Sequence, residues 1–264
     1  MPKRAADSST PLSRAILVLE EVSRHRTPPS FSTLMKELKL PKSSLHRTLA
    51  ALTQERLLEF RPEDSGYRLG LRLSGLSLKA VHGLEIRDAV RPEIEDLSKQ
   101  VQENVLVGQR DDTQLVYVDR IQSQQTLQMI SQLGNRAPLH CTGLGKTILA
   151  FTEEDTLTAL LPRLPLTRST DTTICDLPSL KAELQKIRQQ GYAIDRCEHQ
   201  PEIHCIAAPI YAANGKIMAA VSISAPVFRV PYATLTQWLP ALQDAARRIT
   251  LKLGGIMAGE GTTS

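Results

Sequence analysis

Apolar positions in the first sixty residues recur at helical spacing in three successive runs. In "PLSRAILVLEEVSRH", from Pro11, the residues Leu12, Ala15, Ile16, Leu19 and Val22 return every three or four positions, which predicts an amphipathic helix with Ser9 or Thr10 as N-cap. The breaker "TPPS" ends it. "FSTLMKELKL" predicts a short second helix with Ser32 as N-cap and Leu34 and Leu38 facing inward. After the turn "KLP", the run "KSSLHRTLAALTQERL" predicts a third helix whose Leu45, Leu49 and Leu52 form one stripe. "LLEF" and "YRLG", separated by a turn carrying Asp64, Ser65 and Gly66, predict two strands. Such strands are unstable alone but complete a winged helix-turn-helix when laid against three helices.

"LRLSGLSLKAVHG" predicts a linker helix over 71–83, and the long amphipathic "EIRDAVRPEIEDLSKQVQ" follows it. Beyond that the pattern alternates. Strands are expected over 104–109, 114–121, 126–131, 192–195, 203–211 and 216–224, and helices over 141–150, 153–160, 177–190 and 232–252. The fold class is therefore α+β: a mostly helical winged module over 9–70, the linker, and a domain over 84–255 with a mainly antiparallel sheet flanked by helices. Residues 256–264, ending "GEGTTS", read as a flexible tail.

Charge sharpens the division. Residues 1–83 carry 14 Lys and Arg against 8 Asp and Glu, a net +6, whereas the rest of the chain is −2. A basic N-terminal third points to a polyanionic partner for that module. The stripe of the third helix leaves Lys42, Ser43, Ser44, His46, Arg47 and Thr48 on its outer and leading faces. These residue types suit a helix entering the major groove of double-stranded DNA: Arg for guanine edges, hydroxyls for phosphates or bases, Lys for phosphate charge. Ser32 and Thr33 can offer hydroxyls and N–H groups to a phosphate from the start of the supporting helix. Arg61 and Arg68 flank the wing. There is no run of fifteen apolar residues behind the polar "MPKRAADSSTP", so neither a signal peptide nor a membrane span is expected, and a cytoplasmic protein is.

In the second domain, "PLHCTGLGK" runs from a Pro-containing loop into a helix whose first turn holds Thr142, Gly143 and Gly145, so backbone N–H groups can approach a carboxylate. "GLGKT" has the ending of a phosphate loop, but His140 stands where that motif needs glycine. Ser222 and Ser224 share one face of the apolar strand "IMAAVSIS", and Ile203 and Cys205 share a face by the same alternation. Two inward serines need hydrogen-bond partners, which a bound carboxylate or hydroxyl would supply.

The stretch "RCEHQPEIHC" puts Cys197, His199, His204 and Cys205 within ten residues. Zinc ligation is disfavoured, because the adjacent His204 and Cys205 would point to opposite faces of a strand; no metal and no cofactor are expected. The four cysteines form no CxxC pair. The alternative from another class, a metal- or cysteine-dependent hydrolase using Cys141 or Cys205 with His140 or His204, lacks an evident third group to orient a base, so no catalytic residues are assigned.

"LPKSSLHRTLAALTQERLLEF" with "GYRLG", "LGNRAPLHCTGLGKTILA", "GYAIDRCE" and "CIAAPIYAANGKIMAAVSISAP" together resemble the IclR-type bacterial transcription regulators, nearly from end to end. The resemblance implies a winged DNA-binding domain and a GAF-like C-terminal domain that binds a small metabolite, and the expected effector is a small organic acid of catabolism. It also implies homodimers or homotetramers on palindromic operators. It places Met129, Ala137, Thr142, Gly143, Asp195, Ile203, Cys205, Ser222 and Ser224 at the effector pocket, with Asp195 accepting from an effector hydroxyl. In the family, the segment after the aspartate reads roughly D-x-E-E-x-x-x-G-x-x-C. Here Cys197 replaces an acidic residue and Glu202 replaces the glycine, the latter expected at the pocket rim.

Overall fold

Thr10 caps the first helix, α1 (Pro11–Arg24), its hydroxyl accepting from the Ser13 N–H at 3.1 Å. The buried face of α1 is not the expected one: Val18 and Val22 are inside and Ala15 and Leu19 half-buried, while Leu12 and Ile16 are 71% and 48% exposed. Six apolar residues within the two turns of 12–19 are more than one helix face can hide, and Val18 claims the centre. The second helix, α2 (Phe31–Leu38), is capped by Ser30, whose Oγ accepts from the Thr33 N–H at 3.2 Å, so Ser32 lies inside the first turn and is not the cap. A tight turn leads to α3 (Lys42–Gln54), with Leu45, Leu49 and Leu52 buried as expected.

The wing is an antiparallel pair, β1 (Leu58–Arg61) and β2 (Gly66–Leu69), with Phe60 opposite Tyr67 and Glu59 opposite Arg68. Its position is fixed by close backbone approach: a side chain at Gly66 would place its Cβ 2.4 Å from the Pro28 carbonyl oxygen. One small core, Val18, Val22, Leu34, Leu38, Leu45, Leu49, Leu52 and Leu58, holds helices and wing together.

The computed structural model describes residues 10–25, 27–73, 75–76, 86–123 and 133–256, and contacts divide the chain into two units, Met1–Leu84 and Glu85–Ser264. Residues 71–73 and 75–76 are helical; most of the expected linker helix, the strand expected over 126–131 with Met129, and residues 257–264 lie outside the described residues.

The second unit begins with α4 (Ile86–Val101) and is organised on a six-stranded sheet of order β5-β4-β3-β8-β7-β6, every neighbouring pair antiparallel. The strands are β3 (Asn104–Asp111), β4 (Gln114–Ile121), β5 (Arg136–Pro138), β6 (Ala193–Arg196), β7 (Ile203–Tyr211) and β8 (Ile217–Pro226). The short β5 lies outside the strands expected from sequence, since three residues carry no period. Around the sheet run α5 (Gly143–Phe151), α6 (Glu154–Leu160), a 3₁₀ turn (Leu161–Arg163), α7 (Leu177–Gln190), α8 (Tyr232–Gln237) and α9 (Leu239–Lys252). The single helix expected over 232–252 is two, broken at Trp238 ahead of Pro240, whose ring excludes the preceding turn. In β7 and β8 successive residues are buried on both faces, so the sheet is a middle layer. Helices α5 and α7 cover one face through Leu144, Ile148, Leu180 and Leu184, and α4 and α9 pack on β3, β4, β7 and β8.

Candidate functional site

In the first unit, Lys42, Ser43, His46 and Arg47 are exposed on α3, and Ser44 and Thr48 are half-buried toward α1. Lys42 and Arg47 make no ion pair among the described residues, so both charges are available to a partner. Thr48 is less available: its hydroxyl donates to the Ser44 carbonyl at 2.9 Å. The His46 ring meets Phe31 edge-on, centroids 6.1 Å apart. At α2, Ser30 gathers the hydroxyls of Ser32 and Thr33 at 2.8 and 3.0 Å. On the wing, Arg68 Nε donates to Glu59 Oε2 at 2.9 Å, so its charge is partly satisfied within the hairpin, whereas Arg61 is half-buried at the strand end.

In the second unit, seven residues named from sequence converge. Thr142, Gly143, Asp195, Ile203, Cys205, Ser222 and Ser224 line one cavity of about 30 Å³ between the start of α5 and strands β6, β7 and β8. Ala137 is buried in β5 within the core and does not line it. Leu106, Tyr117, Leu144, His199 and Gln200 also line the cavity and were missed. The pairing register explains Leu106, which stands opposite Ser222, but single-strand alternation cannot reveal a cross-strand neighbour.

The start of α5 is built for close approach. Thr142 caps it, Oγ1 accepting from the Gly145 N–H at 3.1 Å and donating to the Pro138 carbonyl at 2.8 Å. A Cβ on Gly145 would lie 2.4 Å from the Leu139 carbonyl oxygen, so only glycine permits this packing. A Cβ on Gly143 would touch Cys205, Ala207 and Asp195 at 3.4–3.7 Å, an ordinary packing distance.

Lys146, one turn on, received no role from the sequence. It is fully buried, and its Nζ donates to Glu198 Oε1 at 2.6 Å, the Ile194 carbonyl at 2.7 Å and Glu183 Oε1 at 3.4 Å. Its three donors are all used. The ammonium thus faces carboxylates behind the cavity, not a phosphate, and the resemblance to a phosphate loop has no counterpart in space.

Asp195 Oδ1 accepts from the Glu198 N–H at 2.7 Å. Burial dominates its electrostatics, with the nearby Glu198 charge adding to it, and its carboxyl is pushed up to about 7 despite the backbone bonds it receives. Ser224 Oγ donates to Cys205 Sγ at 3.0 Å, so that serine satisfies its donor on a thiol.

The stretch 196–205 does not gather a metal site. Cys205 faces the cavity and pairs in register with Asp195, whereas His204 Nε2 is buried with no partner among the described residues and does not line the cavity. Cys197 and Glu202 have left-handed backbones, φ +61° and +60°. Three hydroxyls hold the first: Thr170 and Thr172 donate to the Cys197 carbonyl at 2.7 and 2.9 Å, and Thr173 to the Glu198 carbonyl at 2.7 Å. Glu202 is exposed and does not line the cavity, contrary to expectation. Among the described residues, one His/Glu group has ligand atoms within 4.8 Å of one another, Glu21, His25 and Glu37, where His25 Nε2 lies 2.9 Å from Glu37 and ties α1 to α2.

The thiols are not arranged as nucleophiles. Cys141 Sγ lies 3.9 Å from His199 Nδ1, but burial pushes the thiol up to about 12, the opposite of an activated thiolate. Burial lowers the His199 and His140 pKa values, and the His140 ring bonds the Thr167 carbonyl at 3.1 Å, not a thiol.

Two family models match the chain: the IclR helix-turn-helix domain over residues 11–62 and the bacterial transcriptional regulator IclR C-terminal domain over residues 78–251. The chain belongs to the IclR family. It is a DNA-binding transcriptional regulator with an effector-binding C-terminal domain. The regulator XynR of Escherichia coli is 30% identical over 91% of this chain and 96% of its own. The crystal structure of the Thermotoga maritima IclR superposes with a TM-score of 0.76 at 29% identity, covering 92% of this chain and 98% of that one. An IclR homologue from Microbacterium hydrocarbonoxydans, complexed with 4-hydroxybenzoate, shares the fold, with a TM-score of 0.79 at 24% identity over 92% and 99% of the two chains. These relatives are regulators, and the hydrolase alternative finds no support among them. No helix among the described residues is long and apolar enough to cross a membrane.

Proposed function

We propose that this IclR-family regulator changes its affinity for a palindromic operator when a small organic acid fills the cavity between α5 and β6–β8, and that the genes it controls serve catabolism of such an acid. The carrying observation is the convergence of seven residues, from the α5 start, β6, β7 and β8, on one cavity that places the Thr142, Ser222 and Ser224 side chains beside Asp195. In this reading residues 9–70 bind DNA, 71–83 link, 84–255 sense and 256–264 form a tail, in a cytoplasmic homodimer or homotetramer that performs no catalysis. Ser43, His46 and Arg47 carry the α3 side of the DNA contact, with Lys42, Ser32, Thr33 and Arg61 on phosphates; Ser44, Thr48 and Arg68 contribute less, because their polar groups face α1, the helix backbone or Glu59. Occupancy acts on DNA only through unequal binding to the two DNA-competence states.

Fluorescence anisotropy with the DNA upstream of the protein's own gene tests this. Arg47→Ala is expected to weaken specific binding by about 1–3 kcal/mol and to relax sequence preference. Ser222→Ala with Ser224→Ala is expected to keep DNA binding and abolish the response to organic acids. Unchanged anisotropy with Arg47→Ala removes α3 as the reading helix, and an intact acid response in the double variant removes the cavity.

A further inference from the structure

The cavity is unusual for an acid-binding site in its charge inventory. Among the described residues that line it there is no Lys or Arg, and Asp195 is the one that carries a carboxyl group. Lys146, whose charge acts on Asp195, does not line the cavity and is held by the Ile194 carbonyl, Glu198 and Glu183. The other groups facing Asp195 are Cys141 ahead of α5, Cys197, Glu198 and His199 after β6, and Cys205 across the β7 pairing. Burial keeps His199 toward its neutral form and the thiols protonated, so none supplies a positive charge. A ligand carboxylate here meets a protein carboxyl 3% exposed, with only hydroxyls and the α5 N-terminus to offset it. Two carboxyl groups sharing such a site hold one proton between them.

Resting on the proposed function, we infer that the cavity takes its carboxylic acid together with one proton, Asp195 binding as the neutral acid and donating its O–H to an oxygen of the ligand. One proton moves from solvent to the Asp195–ligand pair, and the complex carries a single negative charge. The group that defines the site is then a donor, not the acceptor that the family resemblance implies. The carboxyl is already poised for this, since burial pushes it up to about 7. Below that pH, affinity is flat until the ligand itself protonates. Above it, each pH unit weakens binding, up to tenfold, because the free site must first recover its proton.

Isothermal titration of the full chain with acetate, glycolate and 4-hydroxybenzoate at pH 6, 7, 8 and 9 tests the inference, with buffers of different ionisation enthalpy at pH 8 to count protons. For an acid that binds, the expected result is a Kd rising up to tenfold per unit above pH 7, with close to one proton taken up per ligand. Asp195→Asn, which keeps a donor and cannot ionise, is expected to bind the same acid with a pH-independent Kd. A wild-type Kd independent of pH with no proton uptake overturns the inference and leaves the proposed function standing. A pH dependence that persists in Asp195→Asn overturns the assignment to this residue. No heat from any of the three acids at pH 6, in either protein, overturns the organic-acid cavity and the inference with it.

Discussion

Replacing Lys146 by methionine isolates the buried ion pair behind the cavity. Methionine conserves most of the volume and deletes the ammonium. Glu198, its side chain 6% exposed, would keep one donor, the Arg196 N–H at 3.3 Å, and Glu198 Oε2 already lacks a partner among the described residues. Removing one member of a buried pair costs about 3–5 kcal/mol, mostly the desolvation of the charge left behind. With a urea m-value of about 2 kcal/mol/M, the midpoint should fall by roughly 2 M. The chain's one tryptophan, Trp238, lies in the second unit and reports its unfolding by fluorescence. Adding Glu198→Gln to Lys146→Met removes the stranded charge and retains an acceptor for Arg196, so the double variant should recover more than half of the loss. A single-variant shift below about 0.5 M, or no recovery in the double, would refute the claim that this pair is held by mutual compensation.

Two further outcomes follow from strain and titration. Glu202→Gly relieves a left-handed backbone at an exposed position that hydrogen-bonds through its carbonyl to the Val227 N–H at 2.8 Å. The relief of about 1–2 kcal/mol less the extra freedom of the unfolded chain leaves about 0.5–1 kcal/mol of stabilisation, a rise of a few degrees in Tm; an unchanged or lower Tm contradicts it. Asp195 is pushed from 3.8 to about 7 in the native state, so the folded chain retains a proton that the unfolded chain releases near pH 4. Its contribution to stability therefore falls as pH rises from about 4 to 7 and stays low above that. Asp195→Asn should be more stable than the natural chain at pH 8 by a few kcal/mol, with the advantage vanishing toward pH 4; a gap that does not change with pH argues against the burial account.

Periodicity in the sequence was enough for α2, α3 and α7, because each presents one apolar face to one core, whereas β7 and β8 were legible as continuous apolar runs buried on both faces. It failed where a helix has more apolar residues than the core accepts, as with Leu12 and Ile16 on α1, and at β5, too short to show a period. The cavity was legible through residues whose chemistry is out of place on their strand, Ser222 and Ser224, and through the family pattern at Asp195 and Cys205. Tyr117 and Leu106 were not, since their approach depends on which strands are neighbours. Lys146 was least legible of all: its meaning depends on Glu198 and Glu183, 52 and 37 residues away. The threonine cluster 170–173, which fixes the Cys197 loop, looks like an ordinary polar turn until the carbonyls it serves are seen.

The sheet order gives the cavity walls unequal compliance. Ser222 and Ser224 sit on β8, bonded on one side to β3 and on the other to β7, so displacing them breaks two ladders at once. Asp195 sits on β6, a four-residue border strand bonded only to β7. Any widening needed to admit a molecule larger than a few atoms falls on the border side, where the amide hydrogens of 193–196 are expected to exchange sooner than those of β8 and to be slowed by a guest. The serine wall acts as a gauge of fixed setting, and the aspartate wall as the jaw that closes on what is measured.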